Sequence, residues 1–151
     1  MPKVFSLDFQ VRDYELDQFG VVNNAVYLHY LEHTRHEFMT SLGISPAEIA
    51  RSARSLTLSE ITLRFRASLR SREAFRVVLT VAELTGARTR MRQRILKLPE
   101  ESLVLEALAE AVFLDARGRP LRVTPEIREK FRPYLEEGGT ESRGRGKPGR
   151  R

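Results

Sequence analysis

The chain has 151 residues, 41% of them apolar and 30% charged, which is enough for one domain with its own core and too little for two. It contains no cysteine, so disulfide scaffolds, thiolate zinc sites and a cysteine nucleophile are excluded. The formal net charge is +6, and the last sixteen residues supply only five Lys/Arg against three Glu. The body of the chain is therefore basic as well, which favours anionic partners.

No apolar stretch approaches the roughly 20 residues that cross a bilayer. The N-terminus, Met1-Pro2-Lys3-Val4, passes straight into strand-like sequence with no targeting segment, so an untargeted, cytoplasmic protein with no membrane partner is expected.

Apolar and polar residues alternate from Val4 to Val11, the pattern of a strand covered on one face. From about Asn24 to Leu42 the period becomes helical, with Tyr27, Tyr30, Leu31, Thr34, Phe38 and Leu42 on one face. Gly43 ends that helix. Ser45-Pro46-Ala47-Glu48 has the cap, proline and acid of a second start, predicting a short helix to about Ala53.

Four strand-like stretches follow. Leu56–Phe65 alternates with a break of phase at Glu60, which predicts a bulge. Phe75–Leu84 and Arg88–Leu98 are joined by the short turn Thr85-Gly86-Ala87, which predicts a hairpin. Leu103–Leu114 is helical by propensity, but its place between two turn-forming segments predicts a long buried strand. A terminal helix over Pro125 to about Leu135, capped by Thr124, closes the domain at residue 135. Residues 136–151 have no apolar side chain and are expected to be a disordered basic tail. The order describes an α+β layer pair, an antiparallel sheet wrapped around one long helix.

The chemistry concentrates in Leu16–Tyr27. Asp17 stands in a Gly-containing turn seven residues ahead of Asn24, where the long helix begins. A carbonyl held between them meets a nucleophile or general base on one side and unpaired helix amides on the other, an arrangement suited to acyl transfer to water. The plainer role for Asp17 is capping a turn, and for Asn23 and Asn24 capping the helix. In the functional reading the amides near Asn24 and Ala25 form an oxyanion hole aided by the helix dipole. Gly20, Asn23 and Tyr27 are candidate substrate contacts.

His29, His33 and His36 share one helical stripe, opposite the apolar face. Their spacing resembles a metal site, but a solvated or subunit-contact face fits it better, and neither a metal nor a cofactor is called for. Glu37 is a second candidate for the catalytic carboxylate. Arginines alternate along the strands, so that Arg64 and Arg66, or Arg88 to Arg94, share a face. A solvated sheet surface explains them, as do contacts to coenzyme A or phosphopantetheine phosphates or to an acidic carrier protein. No nucleic-acid-binding motif accompanies them.

The run Asp17-Gln18-Phe19-Gly20-Val21-Val22-Asn23-Asn24-Ala25-Val26-Tyr27 resembles the active-site loop of hot-dog thioesterases of the 4-hydroxybenzoyl-CoA thioesterase type. Within that family it is most similar to the plant and cyanobacterial acyl-ACP (acyl-lipid, methylketone-synthase-like) branch. His33–Phe38, Lys97-Leu98-Pro99, Arg119–Arg122 and Pro125–Phe131 carry the likeness further, over about residues 4–135. The resemblance implies the hot-dog fold, Asp17 as catalytic carboxylate and the Asn24 amide as oxyanion donor. It implies homodimers or dimer-of-dimers tetramers, with the acyl tunnel between subunits. The substrates implied are fatty or β-ketoacyl thioesters of acyl carrier protein or coenzyme A. Plant members carry plastid-targeting extensions, which makes a bacterial cytosol the expected location. An aromatic hydroxybenzoyl- or dihydroxynaphthoyl-CoA thioesterase is the alternative within the family. Dehydration of 3-hydroxyacyl thioesters is disfavoured, since no His occurs from Asp13 to Asn24. A non-catalytic acyl- or nucleic-acid-binding module is the alternative outside enzymes.

Overall fold

A computed structural model describes residues 1–44, 47, 49 and 54–142. In chain order its elements are β1 (Phe5–Gln10), a 3-10 turn (Asp13–Glu15), α1 (Asn24–Ser41), β2 (Ser55–Phe65), β3 (Ala74–Leu84) and β4 (Arg88–Lys97). Then come β5 (Ser102–Leu114), α2 (Pro125–Phe131), a 3-10 turn (Arg132–Tyr134) and β6 (Leu135–Glu141). The short helix expected over 46–53 lies outside the described residues, apart from Ala47 and Ile49.

The sheet runs β1-β3-β4-β5-β2, with β2 at one edge, and these neighbours are all antiparallel. Alternation in sequence becomes alternation of faces. Thr89, Met91, Gln93 and Ile95 of β4 are buried, whereas Arg88, Arg90, Arg92 and Arg94 are exposed on the other side. The Ala-rich stretch is indeed a strand: Leu105, Ala107, Ala109 and Ala111 alternate along it and are buried. The break of phase in β2 is a register shift between Leu58 and Glu60.

Helix α1 lies on the inner face and buries Tyr27, Tyr30, Leu31, Thr34, Phe38 and Met39. Met39 takes a place expected of Leu42, which is only partly buried. Its N-terminal half packs into one cluster with Val22, Leu69, Phe75 and Leu105. Its C-terminal half packs into a second with Leu79, Met91, Phe113 and Phe131. Phe38, fully buried, meets the rings of Phe5, Phe131 and Tyr134 and alone contributes about 1.5–3 kcal/mol by leaving water. Helix α2 begins as expected, with Thr124 Oγ1 accepting the Ile127 N–H at 3.3 Å.

One expectation is corrected. The tail, expected to lack structure from Glu136 on, forms β6 as far as Glu141. β1 covers β3 only from Ala74 to Leu79, and β6 takes part of the remaining edge in parallel, at Val81, Glu83 and Leu84. Backbone hydrogen bonds and charge hold the segment where apolar burial is scarce. Glu136 accepts from Thr80 and Arg92, and Glu141 pairs with Arg132. Residues 143–151 lie outside the described set.

Candidate active site

The loop from Leu16 to Asn23 is closed by its own backbone. Leu16 bridges to Val22, Asp17 N–H donates to Val21 O at 2.8 Å, and Gly20 N–H donates to Asp17 O at 3.1 Å. Gly20 makes this turn with φ +75°, a conformation in which a side chain would be strained. Val22, 1% exposed, plugs the loop into the core, and its N–H donates to Leu69 O at 2.9 Å. Asn23 N–H donates to Glu15 O at 3.0 Å, fixing the direction in which α1 leaves the loop.

Asp17 is half-buried at the start of this turn. Its Oδ1 accepts the Phe19 N–H at 2.8 Å and the Val21 N–H at 3.5 Å, so the turn-capping role is real. Among the described residues Oδ2 takes no hydrogen bond, so one oxygen is held and the other is unengaged.

Asn23 caps α1, its Oδ1 accepting the Ala25 N–H at 2.9 Å. That occupies one of the two amides considered for an oxyanion hole. The Asn24 N–H has no acceptor among the described residues and lies at the positive end of an 18-residue helix. Tyr27, one turn further in, is 2% exposed, and its hydroxyl accepts the Leu69 N–H at 3.0 Å. Burial raises its pKa most, and the charges of Glu73 and Asp17 act in the same direction. The Asp17–Val21 pairing brings the start of this turn back to within two residues of Asn23, the cap of α1.

The other candidates are placed elsewhere. Ile61 and Leu63 of β2 pack on the core, so by strand alternation Arg64 lies on the outer face of the sheet. There it borders a concavity of about 500 Å³ with Arg92, Arg94 and Glu106. Arg66 pairs with Glu106 at 3.2 Å. Neither joins Asp17 at the helix N-terminus. The histidine stripe divides: His29 and His33 border a groove beside β1, whereas His36 lies beside β2, 4.0 Å from Glu32. Glu37 is exposed and about 20 Å along the helix from Asn24, too far to share a carbonyl with it.

The sequence reading missed the other wall of the loop. Leu69 is fully buried and holds both Val22 and Tyr27, and Arg70 bridges to Val21. Glu73 secures this segment by accepting the Arg70 N–H at 2.7 Å and pairing with Lys97. The one local signal is the Arg70–Glu73 spacing of a side-chain-closed turn. Phe65 at the end of β2 meets the Tyr27 ring at 5.7 Å while 48% exposed, and Phe19 at the loop tip is 76% exposed. They are apolar side chains with free surface at this end of the molecule.

A family model described as Thioesterase-like superfamily matches residues 11–131. The chain belongs to that superfamily. It is 45% identical over 137 residues to the acyl-acyl carrier protein thioesterase ATL3 of Arabidopsis thaliana, covering 91% of this chain and 72% of the relative. To ATL2 of the same plant it is 47% identical over 125 residues, covering 83% of this chain and 66% of the relative. The enzyme is a thioester hydrolase. Both relatives are named as chloroplastic, a location that the expected bacterial cytosol does not share.

The fold agrees with solved structures. A 1,4-dihydroxy-2-naphthoyl-CoA thioesterase from Synechocystis superposes with TM-score 0.80 at 18% identity, over 85% of this chain and 96% of that one. A hypothetical protein from Thermus thermophilus superposes with TM-score 0.78 at 27% identity, over 85% and 98%. The expected hot-dog fold is the observed one. No described helix is long and apolar enough to cross a membrane.

Proposed function

We propose that the enzyme hydrolyses fatty or β-ketoacyl thioesters of acyl carrier protein or coenzyme A, with Asp17 as the reacting carboxylate and the Asn24 amide as oxyanion donor. The observation that supports this most is the division of labour at Asp17. One carboxylate oxygen is fixed by the turn and the other is unengaged, beside a helix N-terminus whose first amide is open.

Two routes use the same atoms. In one, Asp17 Oδ2 attacks the thioester carbon, the thiolate leaves and takes a proton, and water then cleaves the mixed anhydride. In the other, Asp17 takes a proton from water as the water attacks, and the tetrahedral intermediate expels the thiolate. Either way the negative charge that develops on the carbonyl oxygen faces the Asn24 N–H, where one well-placed donor contributes about 10²–10³ in rate.

The two Arabidopsis relatives, both acyl-acyl carrier protein thioesterases by name, favour the carrier-protein thioester. The arginine-rich outer face around Arg64, Arg92 and Arg94 suits an acidic carrier. Arg64 and Arg66 flank Phe65 at the end of β2, where they could meet phosphates of the pantetheine or nucleotide arm. A homo-oligomer fits the outer edge of β2, which has no strand partner among the described residues and exposes Leu58 at 41% and Phe65 at 48%. A panel of acyl-ACP and acyl-CoA thioesters with thiol release followed tests the reading. Saturable release from fatty acyl-ACP supports it. Release confined to aromatic acyl-CoA thioesters would replace it with the aromatic alternative, and no release from any would refute it.

A further inference from the structure

Helix α1 and strand β2 approach each other at two places. At one end the Tyr27 ring meets Phe65. At the other, Arg35 and Met39 share a cavity with Leu56 and Leu58. Between these ends Ile61 and Leu63 are half-buried against the core. The end with Tyr27 is the end with Asp17 and Asn24, and the other end borders a cavity of about 410 Å³.

That cavity contains a side chain no part of the proposed chemistry uses. Arg35 projects from the helix over the middle of the sheet, and its Nη1 donates to Gln93 Oε1 at 3.0 Å. Gln93 is fully buried and donates in turn through Nε2 to Leu31 O at 2.9 Å. The guanidinium is thus tethered to the sheet in a cavity that Met91 and Ala111 also line, while Glu32 and His36 of the same lining are exposed. Burial lowers the Arg35 pKa, with Glu32 acting in the opposite sense.

We propose that this cavity receives the far end of the acyl chain and that Arg35, held by Gln93, is the polar stop that limits chain length. The inference rests on the thioesterase reading above and deepens it. A methyl end reaching the guanidinium would strip a cation of its surroundings without offering a hydrogen bond. From Asn24 to Arg35 the helix advances about 16 Å, and helix side chains lean back toward the N-terminus. An extended chain advances about 1.2 Å per bond, so a straight alkyl chain starting beside Asn24 meets the guanidinium within about 13 carbons.

The test is a chain-length profile of the full-length enzyme on thioesters of increasing even length. Arg35→Met keeps an unbranched side chain and removes the charge. The ratio of kcat/KM for a chain just beyond the wild-type limit to that for a short chain is expected to rise about tenfold or more. Such a ratio is unaffected by the fraction folded. Ala111→Leu leaves Arg35 in place, fills the same cavity and is expected to move the limit the other way, so it tests the cavity even where Arg35→Met does not fold. Opposite shifts of the profile support the inference. An unchanged profile in a folded Arg35→Met enzyme, or in Ala111→Leu, overturns it while leaving hydrolysis itself intact. A wild-type enzyme that hydrolyses no thioester overturns the underlying reading as well.

Discussion

The Tyr27 hydroxyl accepts the Leu69 amide at 3.0 Å, and this bond joins the first turn of α1 to the segment that also holds the Asp17 loop through Val22. Both residues are buried, so the bond has no water to replace it. Tyr27→Phe leaves the Leu69 N–H without a partner and is expected to cost about 1–3 kcal/mol. Urea denaturation measures that loss. Stability equal to wild type would mean that the segment and the helix are held by packing alone.

Asn23 is read as a structural residue that sets which amide is free. Asn23→Ala removes the acceptor for the Ala25 N–H and is expected to cost about 0.5–2 kcal/mol. Asn23→Asp keeps an acceptor and adds a charge favourable at a helix N-terminus, so it should hold or raise stability. Thermal melts of the two variants give the comparison, and equal losses in both would contradict a capping role.

Glu73 gives a pH dependence of defined sign. Burial alone would raise its pKa, but the Lys97 ammonium and the Arg70 amide outweigh that and hold it below the ordinary carboxylate value. A carboxylate depressed on folding adds stability above its unfolded pKa of about 4.3, and that stability is lost as pH falls through the folded value. Glu73→Gln should therefore be less stable than wild type at neutral pH by about 1 kcal/mol. The gap should close as the solution is acidified below pH of about 4. Denaturation curves across that range check it. A gap that widens on acidification would reverse the assignment.

Most of the frame was legible because burial leaves a period in the chain. β4 alternates Arg88, Arg90, Arg92, Arg94 with Thr89, Met91, Gln93, Ile95, and each set has one face. The bulge near Glu60 showed as a break in that period, and Thr124-Pro125 as a cap and a first-turn proline. Asp17, Gly20 and Asn23 were legible because turns and caps demand particular residue types.

What was hidden depends on contacts between distant parts of the chain. Leu69 looks like any apolar loop residue until Val22 and Tyr27 are placed against it. Gln93 reads as one more position in an alternating strand, yet it links the sheet to α1 through Leu31 and Arg35. β6 was missed because its order comes from a vacant strand edge and from Glu136 and Glu141, none of which has an apolar signature.

The central claim is that the free oxygen of Asp17 reacts at a carbonyl polarised by the opening of α1, and Asp17→Asn tests it most directly. The amide oxygen of Asn can still accept the Phe19 N–H, so the turn, the fold and the melting temperature should be unchanged. Measured as kcat/KM on one acyl-ACP thioester, the variant is expected to lose at least about a hundredfold. A folded Asp17→Asn enzyme that hydrolyses the thioester at the wild-type rate would contradict the account.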